Sequence, residues 1–379
     1  MTGEMPMTRV CHMSSVHPSD STRIFHKECV SLAGNGYDTY FVACGESRED
    51  KGVHVVGTGP RSKGRLGRML RDSRRVYKAA LALNADVYHF HDPELLPYGV
   101  KLVRKGYKVI WDSHENYMDL MAHKSYLPAP VRKVAASLFR SYYKRVLPRF
   151  SAVIVASVGS RDLLQKVVKK AVIITNYPIV DEKAAEAAKP DYTSGKVVFA
   201  GVISPQWSHK ETIQALDACP GVKYVLLGKG EGAFFESLQE LPGWANVDFR
   251  GRVPFTEVPG ILRECAAGMA VLKPSYNTHG SLGTIGVTKL FEEMAAGLPV
   301  ICTDFTLWRE IIDKYHCGIL CDPSDPASIA EAIRTVTNDP ALAECMGNAG
   351  KQAVLQEYNW KTQEKELLRL YEEVHGIQR

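Results

Sequence analysis

The segment THGSLGTIGVTKLFEEMAAGLPVI, residues 278–301, holds the residue types best suited to phosphate chemistry. Gly280, Gly283 and Gly286 precede a stretch whose helical periodicity starts near Val287. Such a loop exposes backbone N–H groups at the positive end of a helix dipole, where an anion is favoured. Lys289 and Glu292 are three residues apart and therefore share one helix face. A carboxylate one turn into that helix can accept hydrogen bonds from paired ribose hydroxyls. The same spacing also describes a flexible loop before an ordinary amphipathic helix with a salt bridge. Spacing alone leaves both readings open.

Other chemical signatures are weaker or missing. GKGEG at Gly228–Gly232 follows an apolar run and opens a helical stretch, but no Lys-Ser/Thr pair completes a Walker loop. After the first apolar run stands CHMSSVHPSD rather than GxGxxG, and GxSxG is absent. The nine cysteines lack zinc spacing, the closest pair being Cys317 and Cys321. They read as reduced core thiols of a cytosolic protein. No DxD-type motif lies beside a strand end, so no metal or other cofactor is expected.

The elements that must position these residues follow from periodicity. Val10–Met13, Thr39–Cys44, Val87–Phe90, Val109–Trp111 and Ala152–Val155 are short apolar runs of buried parallel-strand type. Between them lie amphipathic stretches at Arg23–Ala33, Leu66–Leu83, Leu95–Lys105, Val131–Val146 and Ser160–Lys169. A polar stretch from Val172 to Lys196 reads as a linker, and the alternation then restarts. Its strands are Val197–Ala200, Tyr224–Leu227, Val247–Phe249, Met269–Leu272, Val300–Cys302 and Gly318–Leu320. Helices are expected at Val287–Ala296, Ala327–Thr337 and Trp360–Val374. The pattern predicts an α/β protein of two doubly wound parallel sheets. A length of 379 residues, 45% hydrophobic and 23% charged, suits two globular domains and excludes disorder. No apolar run is long enough to span a bilayer, and the first ten residues lack a secretory core.

Nine segments in family order resemble glycosyltransferase family 4, the retaining enzymes of the GT-B fold. KLFEEMAAGLPVI is similar to the family's donor-site helix and following strand, and VVFAGVISPQWSHKETIQAL to the opening of its second domain. LLGKGEG, VDFRGRVPFTEVPGIL and AAGMAVLKPS follow in family order, and TNYPIVD resembles the hinge. VYHFHDPELLPYG and VIWDSHENYM resemble strand ends of the acceptor domain, and YNWKTQEKELLRLYEEV the helix that crosses back. The resemblance implies an acceptor domain at 1–180, a nucleotide-sugar domain at 190–357 and a returning helix at 358–379. It implies two facing Rossmann-like domains with chemistry in the cleft.

The resemblance also implies roles. Glu292 matches the glutamate that binds the donor ribose, Lys210 the lysine that meets the diphosphate, and His114 the histidine that reaches a donor sugar hydroxyl. Gly283, Thr284, Ile285 and Gly286 match the loop facing phosphate or sugar. His91 and Asp92, at a strand end, and Asp20 fall on the acceptor side of the cleft. Three departures stand out. Thr284 occupies the place of the family's first glutamate, Val202 that of an arginine, and Asp20–Ser21–Thr22 that of a glycine pair. Arg252 and Lys289 are candidate substitutes at the diphosphate, and Arg23 a candidate cleft residue for donor or acceptor.

The implied reaction moves a sugar, with retention, from a nucleotide-diphosphate donor to a glycan or polyprenyl-diphosphate-linked acceptor. A UDP-sugar is favoured and a GDP-sugar remains an option. The alternatives are a nucleotide-sugar epimerase, for which Asp112 and Glu115 are the tempting carboxylates, and a non-catalytic sugar-nucleotide-binding module. Charge is uneven: residues 1–175 carry 28 Lys and Arg against 15 Asp and Glu, the remainder 19 against 27. Arg61–Lys78 holds eight basic residues and one acid, with Leu66, Met69, Leu70 and Val76 interleaved; Val131–Arg149 is also basic. These stretches suit an anionic membrane face, giving a cytoplasmic protein peripheral to the membrane. No nucleic-acid motif accompanies the charge.

Overall fold

A computed structural model describes residues 7–113, 128–180, 189–254 and 256–376. The chain forms two compact units: Met1–Thr175 with Lys361–Arg379, and Asn176–Trp360. His114, expected at a donor sugar hydroxyl, and Glu115 lie outside the described residues.

The first unit holds an eight-stranded sheet: β1 (Arg9–Met13), β2 (Asp38–Ala43), β3 (Arg48–Asp50), β4 (Val53–Gly57), β5 (Val87–Phe90), β6 (Lys108–Ser113), β7 (Ala152–Val155) and β8 (Ala171–Ile173). Their order is β3-β4-β2-β1-β5-β6-β7-β8, and only β3 runs antiparallel. The β3–β4 hairpin departs from the expected alternation. Lys51 and Gly52 both have positive φ, 50° and 76°, which closes the tight two-residue turn that hairpins prefer. Full burial of β5 and β7, and of β1 after Arg9, explains why these strands read as apolar runs.

The first helix departs from α-geometry. Thr22–Cys29 is π-wound and passes into an α-helix at Val30–Gly34. Ser21 caps its start by accepting from the Ile24 N–H. In π-winding, residues five apart come to the same side, which stacks Arg23 with Glu28. The Trp360–His375 helix belongs to this unit beyond its first residue. Gln363 Oε1 accepts from the Thr175 N–H at 2.8 Å, and Lys108 Nζ donates to the His375 carbonyl at 2.8 Å.

The second unit holds six parallel strands: β9 (Lys196–Ala200), β10 (Lys223–Leu227), β11 (Val247–Gly251), β12 (Ala267–Ala270), β13 (Val300–Thr303) and β14 (Gly318–Cys321). The order is β11-β10-β9-β12-β13-β14, with order reversing at β9 and β12. Because all strands are parallel, their following loops share one edge of the sheet, and the crevice at such a reversal is where ligands of doubly wound sheets sit. Phe199, Leu226, Met269, Phe291 and Trp308 belong to one core beneath that edge. Helix Pro340–Gln356, which the sequence pattern does not single out, closes one face. All nine cysteines are free thiols.

Candidate functional site

In the second unit the glycine loop leads into helix Thr288–Ala295, one residue later than expected. Its N-cap residue, Val287, supplies no side-chain acceptor to the first-turn N–H groups. Gly283 has φ +82°, and a Cβ there would lie 2.5 Å from that of Phe305, so this position demands glycine twice over. Thr284 serves the loop itself. Its Oγ1 accepts from the Gly286 N–H at 3.1 Å, and its carbonyl accepts from Trp308 Nε1 at 2.8 Å. Gly286 therefore has its amide already engaged, and the partly buried Ile285 packs against the core.

Lys289 does not spend its charge on Glu292. Its ammonium donates to the Ala200 carbonyl at the end of β9, 4.9 Å from the Phe199 ring centroid and 5.7 Å from that of Trp207. Only glycine tolerates this approach, because a Cβ on Gly201 would lie 1.8 Å from Lys289 Nζ. Burial pulls the Lys289 pKa below its ordinary value, with Glu292 and Glu293 opposing. Glu292 is half-buried, while its neighbour Glu293 is sealed against β12 and has an Oε2 without a hydrogen-bond partner. Burial drives the Glu293 carboxyl well above its ordinary range, Lys289 and the Met269 N–H opposing and Glu292 adding to the rise.

Lys210 lies in the first turn of helix His209–Ala215, after β9, and is exposed. Arg252 follows β11 and is exposed, as is Val202 in the loop after β9. The β9, β11 and β12 loops place Lys210, Arg252, Lys289, Glu292 and the glycine loop along one sheet edge. Beside Lys210, His209 is buried, its Nδ1 2.9 Å from the Tyr224 hydroxyl. Burial and then the Lys289 and Lys273 charges lower its pKa to about 3, so it is neutral.

The first unit places its residues differently from expectation. Arg23, His91 and Asp92 do not face an open surface; all three are sealed in a polar core, and of that group only Asp20 is exposed. Arg23 Nε donates to Asp112 Oδ2 at 2.7 Å, and Nη2 donates to the Ile174 carbonyl at 3.1 Å. The guanidinium thus turns inward to these acceptors rather than to an open surface, with Nη1 left without a hydrogen-bond partner among the described residues. Asp92 Oδ2 accepts from the Ser15 and Val16 N–H groups at 2.6 and 3.0 Å and from the Ser14 hydroxyl at 2.9 Å, shaping the loop after β1. His91 Nδ1 lies 3.2 Å from Asp112 Oδ2.

Three members of this core are missing from the sequence-based site: His12, Glu28 and His89. Parallel register pairs His12 with His89, and His91 lies two residues farther along the same face. The available signal is the alternation in YHFHD. Burial, first, and then the Asp112 charge raise the Glu28 carboxyl well above its ordinary range, Arg23 opposing.

Two family models match. Residues 180–353 match the model described as glycosyl transferases group 1, and residues 22–183 match glycosyltransferase family 4. Among curated relatives, glycogen synthase of Mycobacterium tuberculosis is 24% identical over 182 residues, 46% of this chain and 42% of that one. The matched stretch thus spans less than half of that relative. Phosphatidyl-myo-inositol mannosyltransferase of Mycobacterium leprae is 24% identical over 300 residues, 76% and 74% of the two chains. Sucrose-phosphate synthase from Thermosynechococcus elongatus has the same fold at TM-score 0.73 and 15% identity, covering 98% of this chain and 100% of that one. Anabaena HepE, solved with UDP and glucose, reaches 0.70 at 15% identity, covering 97% and 100%. With adjoining family matches reaching from residue 22 to residue 353, the chain belongs to the family 4 glycosyltransferases and has the GT-B fold.

Proposed function

We propose that the protein transfers a sugar, with retention of anomeric configuration, from a nucleotide-diphosphate donor held by the second unit. The observation that carries this reading is the cationic, glycine-lined sheet edge, where Lys210 and Arg252 are exposed and Lys289 is anchored at the end of β9. Breaking the anomeric bond puts negative charge on the leaving diphosphate and positive charge on the ring. Fixed cations and first-turn amides stabilise the developing anion without reorganising. The leaving phosphate takes the acceptor proton on the face from which it departs, so glycosidase-type paired carboxylates are not needed. Glu292 holds the ribose. Neither a divalent ion nor another cofactor takes part at the diphosphate. UDP is the favoured carrier, supported by the UDP with which Anabaena HepE was solved; GDP is the alternative.

The acceptor is a glycan or a polyprenyl-diphosphate-linked glycan held by the first unit, whose basic stretches dock on anionic lipid from the cytoplasm. Leu66 and Leu70 are 73% and 69% exposed, with Met69 beside them and Arg71 and Arg74 on the exposed surface. Val131, Val134 and Leu138 form a second exposed apolar row, on helix Ala129–Val146. Among the described residues no helix is long and apolar enough to cross a membrane.

A panel of nucleotide sugars, incubated with and without acceptor, tests the reading. Transfer requires acceptor, and NMR of the product gives the anomeric configuration. Epimerised donor without acceptor, binding without turnover, or an inverted product each overturns it. Asp112, one of the two carboxylates an epimerase would use, is buried and engaged by Arg23 and His91, which favours the transfer reading.

A further inference from the structure

The polar core of the first unit has the ligand set of a metal centre. His12, Glu28, His89 and His91 are all fully buried, and one ligand atom from each lies within 4.8 Å of the others. His12 Nδ1 and His91 Nε2 are 3.1 Å apart, and each is 3.7 Å from Glu28 Oε2. A triangle with those edges has a point about 2.0 Å from every corner, the bond length that zinc makes to imidazole nitrogen and carboxylate oxygen. A regular zinc tetrahedron has edges of about 3.3–3.4 Å, between the observed values. The geometry points to a buried zinc ion held by His12, Glu28 and His91, with His89, whose ligand atom lies within 4.8 Å of theirs, moving in as the fourth ligand when the ion binds.

Unpartnered atoms support the assignment. Among the described residues no donor meets either Glu28 oxygen in good hydrogen-bond geometry, the Asp112 carboxyl being its near neighbour, and His89 Nε2 has no hydrogen-bond partner. A buried carboxyl in that condition keeps a proton unless a cation takes the proton's place. Arg23 supplies one on the far side, its Nε 3.2 Å from Glu28 Oε1, which leaves Oε2 for the metal. Arg23 also faces Asp112, so one guanidinium stands against two carboxylates in a sealed pocket. The atoms behind the ligands are those that orient them in zinc proteins. Asp112 Oδ2 lies 3.2 Å from His91 Nδ1, and the Tyr371 hydroxyl lies 3.0 Å from His12 Nε2 and 2.9 Å from His89 Nδ1. Four protein ligands and no exposure describe a closed, structural site rather than a catalytic one with an open position. The ion ties β1 and β5 to the π-wound turn through Glu28, and Tyr371 brings the C-terminal helix against it. The centre belongs to the first unit and is independent of the diphosphate chemistry assigned to the second.

The test measures metal directly. Chain purified without a metal-affinity tag, with Cys345→Ser to remove the exposed thiol, is expected to carry one zinc per chain by inductively coupled plasma mass spectrometry. Refolding in cobalt is expected to give the strong visible bands of tetrahedral Co2+, and thermal unfolding to occur at higher temperature with zinc than after refolding in chelator. Glu28→Gln and His91→Gln should lose the cobalt bands; where a variant fails to fold, the wild-type cobalt spectrum and stoichiometry decide. A wild-type chain that holds no zinc and gives no tetrahedral cobalt spectrum overturns the assignment, leaving a hydrogen-bonded proton network. Metal retained in equal amount by folded Glu28→Gln and His91→Gln overturns it as well.

Discussion

Glu293→Gln should make the protein more stable at neutral pH, by an amount that grows with pH. Glu293 sits next to Glu292 in helix Thr288–Ala295 but faces β12, where a Cβ on Gly268 would lie 2.5 Å from its Oε2. The Met269 N–H hydrogen-bonds to this carboxyl, but Oε2 has no hydrogen-bond partner. Burial raises its folded pKa well above the ordinary 4.5, so the folded chain keeps a proton that the unfolded chain releases. The stabilisation from this group is full below pH 4.5 and is lost as pH rises through the folded value. Each pH unit inside that window costs the wild type about 1.4 kcal/mol, so two units cost about 2.7 kcal/mol. Glutamine keeps the size and the oxygen that Met269 needs, and it does not titrate. The stability difference between variant and wild type should therefore widen at about 1.4 kcal/mol per pH unit above 4.5, read from urea unfolding midpoints and slopes across a pH series. Parallel stability–pH curves would refute the reasoning, because they require Glu293 to be ionised within the fold.

Glu292→Ala should weaken nucleotide-sugar binding by about 1.5–3 kcal/mol, the cost of a charged hydrogen-bond partner, with unchanged melting; calorimetry measures both. Adding magnesium or manganese should leave the transfer rate unchanged if, as proposed, Lys210 and backbone amides meet the diphosphate; stimulation by either ion in a turnover assay contradicts this. Sedimentation with anionic vesicles should fall with added salt and with Leu66→Ser, Leu70→Ser and Arg71→Glu combined, each Lys or Arg near the surface contributing about 1 kcal/mol. Arg68 and Arg75 are poor choices for that test because they pair with Glu94 and Asp72; a wild-type chain that stays in solution at low salt sinks the docking proposal.

The doubly wound architecture is legible because parallel strands buried on both faces leave continuous apolar runs, as at Val87–Phe90 and Val300–Cys302. The β3–β4 hairpin leaves no such signal, because its strands are short and largely half-exposed, and its turn uses lysine at positive φ before glycine. At the second unit's site, the glycine loop and the positions of Lys289 and Glu292 are readable from periodicity. The target of Lys289 is not. Side-chain spacing suggests Glu292, whereas the ammonium reaches a carbonyl 89 residues away, which the missing Cβ of Gly201 permits.

The first unit shows a stricter limit. Arg23 and Glu28 are five residues apart, a spacing that an α-helix turns to well-separated directions, so α-periodicity hides their partnership. Only π-winding brings them together, and π-winding has no sequence signature among the rules of periodicity. His12 is 77 residues from its partner His89, and their pairing depends on strand order and register rather than on any local pattern. Arg23, His91 and Asp92 read as surface chemistry because charged residues at strand ends in this fold commonly meet ligands. The structure instead turns them inward, Arg23 and His91 to Asp112 and Asp92 to the amides of the loop after β1. That difference divides the labour between the units. Arg23, His91 and Asp92 of the first unit are buried among β1, β5 and the π-wound turn, whereas Lys210 and Arg252 of the second unit are exposed at its sheet edge.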